Sequence, residues 1–397
     1  MKVVQINAGY GKSSGAERIV QDLHEALKKS GHEAYVFCAD CKDKSNGVSR
    51  IGNRMDRRIH DFLSELTGLQ GYFSHFSTAG LIRKLKSIQP DVVHLHNLHE
   101  NYINLRMLLR YMRKNRIPVV ITLHDNRLLT GYCCSYTEEN CDKWMFRCVS
   151  CPALKRRKKL VLFDAAKKCF DDKREWFLEL PSVNVVCATD WEAEEAEESF
   201  FGDYARFHRI YHWADLKVFN SPKKHHKECP VILSVASDIL TENDLDEMIR
   251  IAQHRKNYEF RIIGSLPPNQ TLPENVLCIG EIDRVSTLVK EYQNADVFLH
   301  LSSSSAFDKT LAEVLACGTR CITWNHPAMK EIIPKSGGKV ISAGDWQSVV
   351  TAIDELLKER QNNTCRAFAE AHFDKKARIN DYLNIYRKAA SLHDESL

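Results

Sequence analysis

Residues 3–39, VVQINAGYGKSSGAERIVQDLHEALKKSGHEAYVFCA, decide the fold. VVQI (3–6) is a short apolar run that meets a turn carrying Gly9, Gly11 and Gly15. Ile19, Val20, Leu23 and Leu27 then recur at the spacing that lines one face of a helix, and AYVFCA (34–39) reads as a second strand. A strand, a glycine turn, an amphipathic helix and another strand make the unit from which parallel sheets are built.

The same alternation continues through DVVHLH (91–96), PVVITLH (118–124) and VNVVCA (183–188). Near-continuous apolar strands imply burial on both faces, hence a doubly wound domain with helices on each side. The series pauses at the polar stretch NSPKKHHKEC (220–229). It restarts with PVILSVAS (230–237), EFRIIGS (259–265), NVLCIG (275–280), DVFLHLS (296–302), RCITW (320–324) and KVIS (339–342). Two α/β domains are therefore expected, 1–221 and 222–397, the first with a cysteine-rich insertion at about 131–152. A length of 397 residues fits two domains, and the 44% hydrophobic and 27% charged fractions fit chains that bury sizeable cores.

Composition excludes several classes. No apolar run approaches the roughly 18 to 20 residues that span a bilayer. The N-terminus turns glycine-rich and polar too early for a secretory signal, so it reads as the first strand of a cytoplasmic protein. A net charge of +4, from 56 basic and 52 acidic residues, is too mild for a dedicated nucleic-acid binder. The 14 cysteines, in a long chain without an export signal, read as reduced thiols with a possible metal site.

Several motifs carry chemistry. GKS at 11–13 evokes a phosphate-binding P-loop, but Ile6 stands where its first glycine belongs; a dinucleotide fingerprint from Gly9 and Gly11 fails at Ser14. What survives is a close backbone approach at a helix N-terminus, which suits anionic or hydroxyl-rich groups. His94, His96, His99 and His124 gather at strand ends, where doubly wound sheets open onto their ligand crevice. His94 and His96 share a strand face and read as sheet histidines rather than a metal pair.

In GYCCSYTEENCDKWMFRCVSCP (131–152), Cys133 or Cys134 with Cys141, Cys148 and Cys151 has the composition of a structural zinc site; the competing reading is free buried thiols. The CxxC at Cys38 and Cys41 lacks the context of a redox motif and reads as chance. In SSSSAFDKTLAEVLACGTRCITW (302–324), a serine-rich turn leads into a helix containing Glu313, whose exposed amides would hold a diphosphate. KRRKK (155–159), followed by LVLF and AAKKCF, offers a basic and apolar surface to anionic lipid or, equally, a solvated helix face.

Taken together, these segments resemble the retaining glycosyltransferases of the GT-B fold, in family 4, particularly the bacterial exopolysaccharide and O-antigen branch. The likeness is carried by residues 5–36, by DVVHLHNLHENYINL, by VVITLHDNRLLTGYCCSY with the later CDKW and CVSCP, by IYHWADLKVF, by ILSVAS and by FDKTLAEVLACGTRCITW. It implies two Rossmann-like domains facing a cleft and a last helix crossing back to the first domain. The implied reaction moves a sugar from a nucleotide-sugar donor, UDP-sugar favoured, to a saccharide or lipid-linked acceptor at the inner membrane face, without a catalytic metal.

The resemblance makes His124 the residue at the transferred sugar. It puts Gly11, Gly15, Gly264, Ser305, Lys309, Thr310, Leu311 and Glu313 on the donor side, and Ser14, His96 and Asn97 on the acceptor side. The pattern breaks at three positions: Ser305 replaces a glutamate, and Glu242 and Asn243 replace an arginine and a lysine. Either Lys309, Lys12 or another nearby cation substitutes, or the chain is a weakened subunit that binds a sugar or a partner enzyme.

Overall fold

The computed structural model describes residues 1–11, 14–41, 45–99, 101–134, 136–137, 140–156, 163–221, 229–235, 242–266, 270–301, 307, 309–359 and 363–394. The polar stretch around Pro222 and the serine run containing Ser305 lie outside them, as do Lys12 and most of KRRKK. The chain divides into two compact units, Met1–Ile210 with Ile379–Leu397, and Tyr211–Arg378.

The first unit holds β1 (Lys2–Tyr10), β2 (Glu33–Cys41), β3 (Val48–Arg50), β4 (Val92–Leu95), β5 (Val119–Thr122), β6 (Val183–Cys187) and β7 (Arg206–Arg209). They form one sheet in the order β3-β2-β1-β4-β5-β6-β7, every neighbouring pair parallel. Val4, Ile6 and Ala8 of β1 join Val93, Leu95, Val119 and Ile121 in one continuous core. The helix Gly15–Lys29 starts at Ser14, whose side chain accepts from Glu17 N at 3.2 Å, and buries Ile19, Val20, Leu23 and Leu27. It stops at Ser30 and Gly31, the latter at φ 77°, a left-handed conformation that suits glycine.

The second unit holds β8 (Val231–Val235), β9 (Glu259–Ile263), β10 (Val276–Gly280), β11 (Val297–His300), β12 (Arg320–Trp324) and β13 (Gly338–Ile341). Their order is β10-β9-β8-β11-β12-β13, again all parallel. Both sheets are doubly wound: the chain runs outward from β1 and from β8, then returns to the other side of each to place β4 and β11.

Two strands have no counterpart in the sequence reading, β3 (VSR) and β7 (RFHR). Both are edge strands, polar and partly exposed, so they lack the apolar run that marks the central ones. Cys38 and Cys41, which the spacing left unrelated, are joined as a disulfide at the end of β2. Among the described residues no helix is long and apolar enough to cross a membrane.

Candidate active site

In a doubly wound sheet the ligand crevice lies beyond the carboxyl ends of the strands, where the winding direction reverses. In the first unit that point falls between β1 and β4. The period of two along a strand puts Gln5 and Asn7 of β1, His94 and His96 at β4, and Thr122 and His124 at β5 on one face. The register aligns Gln5 with His94 across β1 and β4. A polar stripe thus crosses three central strands whose opposite face is wholly apolar.

Burying such a stripe costs about 1–3 kcal/mol for each group left unpaired, and the structure pairs it. His94 Nδ1 lies 2.7 Å from the Tyr386 hydroxyl and His94 Nε2 2.8 Å from Thr122 Oγ1, which is 3.0 Å from the Tyr382 hydroxyl. Both tyrosines come from the helix Lys375–Asp394, within the segment that packs with the first unit. His96 Nε2 lies 3.2 Å from Gln5 Oε1, and His96 Nδ1 3.0 Å from His124 Nε2. Asn97 N donates to Asn7 Oδ1 at 3.1 Å. Sequence reasoning missed Gln5, Asn7 and Thr122, whose signal is the alternation itself; Tyr382 and Tyr386 give no local signal.

A pocket opens beyond these strand ends, lined by His96, Asn97, His99, Thr122, His124, Asp125 and Arg127 among others. His124 is half-buried there, while His94 and His96 are fully covered. Burial holds the His94 and His96 imidazoles far below their ordinary range, with neighbouring rings adding to the effect. Burial likewise lowers His124 to about 4, Asp125 opposing and His99 reinforcing the shift. All three are neutral imidazoles at physiological pH. Asp125 is the anion of the pocket: burial pushes its carboxyl up, but His99, 2.7 Å away, and Arg127 outweigh this and keep it below the ordinary range.

The glycine loop borders the same ends. An added Cβ on Gly9 would meet Glu17 Oε1 at 2.4 Å, and Gly11 stands at φ 154°. Ser14 is the N-cap and Gly15 the first residue of the following helix. The structure therefore brings Gly11, Ser14, Gly15, His96, Asn97 and His124 to the carboxyl ends of the central strands of one sheet.

In the second unit the reversal falls between β8 and β11. Gly264 follows β9 with a positive φ of 122°, its N–H donating to Gly280 O at 2.9 Å. Lys309 and Thr310 open the helix Lys309–Ala316, in which Leu311 and Glu313 are buried. The Lys309 ammonium lies over the Trp213 ring, 5.7 Å from its centroid. Glu242 and Asn243 open the helix Glu242–Gln253 that follows β8.

Cys133, Cys141, Cys148 and Cys151 line one pocket with Tyr136 and Trp144, whose rings stack at 4.6 Å. As they stand, no group of three or more His, Cys, Asp or Glu among the described residues could hold a metal ion. Cys148 Sγ accepts from Gly131 N at 3.2 Å, and the Cys133 backbone carbonyl accepts from Thr130 Oγ1 at 2.6 Å. Cys134 turns to Arg127, 2.9 Å from its guanidinium. Burial raises the Cys133 thiol to about 11 and pushes those of Cys148 and Cys151 up.

Residues 13–218 match the family described as Glycosyltransferase Family 4, and residues 217–374 match Glycosyl transferases group 1. The chain is 23% identical to the "Putative colanic acid biosynthesis glycosyl transferase WcaC" of Escherichia coli strain K12, over 98% of its own length and all of that protein. Among solved structures it is similar to sucrose-phosphate synthase from Thermosynechococcus elongatus (14% identity, 99% of this chain and 100% of that one, TM-score 0.67). It is also similar to Anabaena HepE in complex with UDP (14% identity, 98% and 100%, TM-score 0.65). At such identities the structural likeness concerns the fold.

Proposed function

Because the chain belongs to glycosyltransferase family 4 and has two Rossmann-like domains of the GT-B architecture, we propose that it transfers a sugar from a nucleotide-sugar donor, UDP-sugar favoured, to a saccharide or lipid-linked saccharide in bacterial surface polysaccharide synthesis. WcaC, similar over its whole length, bears a name from colanic acid biosynthesis, and HepE was solved with UDP. The observation that carries the proposal is the pocket where a neutral His124 stands beside Asp125 and His99 at the strand ends.

In the proposed reaction the bond from the anomeric carbon to the diphosphate oxygen breaks, an acceptor hydroxyl bonds to that carbon with retention, and its proton passes to the departing diphosphate. No step calls for a catalytic metal. His124 orients the sugar, with Gly11, Gly15, Ser14, His96 and Asn97 around donor and acceptor. The second domain holds the nucleotide through Gly264, Ser305, Thr310, Leu311 and Glu313. The leaving diphosphate gains negative charge, and removing one group that stabilises such charge typically costs about 3–4 kcal/mol. With Glu242 and Asn243 where two cations belong, Lys309 at a helix start is the replacement, supported by amides that favour an anion.

Thermal-shift titration with UDP, GDP and ADP tests the donor: a ligand of the native state raises the melting temperature. A rise with UDP supports the transferase. No rise with any of the three favours the alternative of a weakened subunit that binds a sugar or a partner enzyme.

Two further proposals accompany this one. The first is a structural zinc on Cys133, Cys141, Cys148 and Cys151, supported by the pocket they share; it requires the thiols to deprotonate and leave their present partners. Stoichiometric zinc in protein purified without chelator supports it, and its absence leaves buried thiols. The second is peripheral contact of a cytoplasmic protein with anionic lipid. Met55, Ile59, Phe62 and Leu66 form one exposed apolar stripe on the helix Arg54–Thr67, flanked by Arg54 and Arg58. Co-flotation with anionic but not neutral vesicles, lost in Phe62→Glu, tests it.

A further inference from the structure

The hydrogen bonds around His124 form a directed chain whose polarity can be read from one fixed end. Gln5 is fully buried and its Nε2 lies 3.2 Å from Val20 O, a backbone carbonyl that only accepts. The amide of Gln5 is thereby oriented: the flipped arrangement would set two oxygens against each other. Its Oε1 consequently faces His96 Nε2, at 3.2 Å, as an acceptor, so His96 Nε2 carries a proton. A neutral His96 then has its lone pair on Nδ1, and His124 Nε2, 3.0 Å away, is the donor. A neutral His124 protonated at Nε2 has its remaining lone pair on Nδ1.

An imidazolium anywhere in the chain is opposed by packing. The His94 and His96 rings lie 3.9 Å apart between centroids, and His96 and His124 stack at 5.3 Å. Among the described residues Asp125 is the acid that acts on His124, and its carboxylate stands 2.7 Å from His99. Desolvation of the three rings acts in the same direction.

We propose that Gln5 is a positioning residue that, through His96, fixes His124 as the Nε2–H tautomer, so that His124 meets the sugar as a hydrogen-bond acceptor through Nδ1. The sugar group it recognises is therefore a donor, a free hydroxyl rather than an ether or a fluorine. The sugar part rests on the transferase reading above; the tautomer does not.

Nitrogen-15 NMR of the full chain with labelled histidine tests this without substrate, with His124 and His96 assigned from His124→Gln and His96→Gln variants. The expected spectrum shows both residues protonated at Nε2 and bare at Nδ1 near neutral pH. In Gln5→Met the single-tautomer pattern of His96 and His124 is expected to give way to an averaged one, other histidine signals holding. A His124 protonated at Nδ1, or at both nitrogens, in the unaltered protein overturns the proposal even if Gln5→Met does not fold; so does a Gln5→Met spectrum identical to the parent. Failure of a sugar-transfer assay leaves this result standing, and failure here leaves glycosyl transfer standing.

Discussion

The two domains reverse their winding in the same way, between β1 and β4 in the first and between β8 and β11 in the second, yet they equip the reversal with different chemistry. At the first, side chains hang from the strands themselves and brace one another: His94 and Thr122 bond to the terminal-helix tyrosines, Gln5, His96 and His124 bond to one another, all at 2.7–3.2 Å, and the His94 and His96 rings pack together. At the second, the described residues proposed for the donor stand on the short helix Lys309–Ala316 and just past the end of β9 at Gly264, with Lys309 laid over Trp213. A rigid, neutral, desolvated constellation suits the reacting centre, where geometry sets the barrier. A helix N-terminus with one long flexible cation suits the grip on an anion. Substitutions in the first region are therefore expected to affect stability and turnover, and those in the second mainly affinity.

Acid should expose the contrast most strongly. His60 and His124, both in the first domain, are held near pKa 4 by burial against an ordinary 6.5. Between those values the unfolded chain binds the protons, so stability present above pH 6.5 is lost as pH falls through about 4, by roughly 3 kcal/mol per ring. Melting curves from pH 7 to 4 should show the first domain failing; a pH-independent transition breaks the account of buried neutral histidines.

His124→Ala should lower kcat about a hundredfold while nucleoside diphosphate affinity stays within about twofold. A matching loss of affinity would erase the division of labour between the domains. Tyr386→Phe removes the 2.7 Å partner of His94 Nδ1 and should destabilise by about 1–3 kcal/mol in chemical denaturation. An unchanged midpoint would mean that the terminal helix does not brace the stripe. Lys309→Ala should weaken UDP binding about tenfold, about 1.4 kcal/mol, and cost about 1–2 kcal/mol of stability, since the Trp213 ring beneath the half-buried lysine is fully covered.

Much of this contrast was legible in the sequence, and unevenly so. The eleven apolar runs quoted above all became strands: nine are central parallel strands, buried on both faces and rich in Val, Ile and Leu, while β10 and β13 are edge strands that still keep a short apolar run. VSR and RFHR escaped because an edge strand can do without such a run, and these two do. His96 and His124 were visible from their place at strand ends. The bracing was not: His94 and Tyr386 are 292 residues apart, and a buried hydrogen bond across that separation leaves no local periodicity. Gln5 and Asn7 were hidden for the opposite reason, since polar residues at alternate positions of a strand ordinarily face solvent, and only the covering helices reverse that expectation. The Cys38–Cys41 disulfide lay in plain sight, but spacing alone does not orient two thiols.

The most direct test of the central claim is a calorimetric titration of UDP, GDP and ADP into the full chain, repeated on Lys309→Ala. The account predicts saturable binding of a nucleoside diphosphate, UDP foremost, that Lys309→Ala weakens about tenfold. Silence with all three nucleotides would contradict glycosyl transfer from a nucleotide sugar, and tight binding indifferent to Lys309→Ala would contradict its role as the replacement cation.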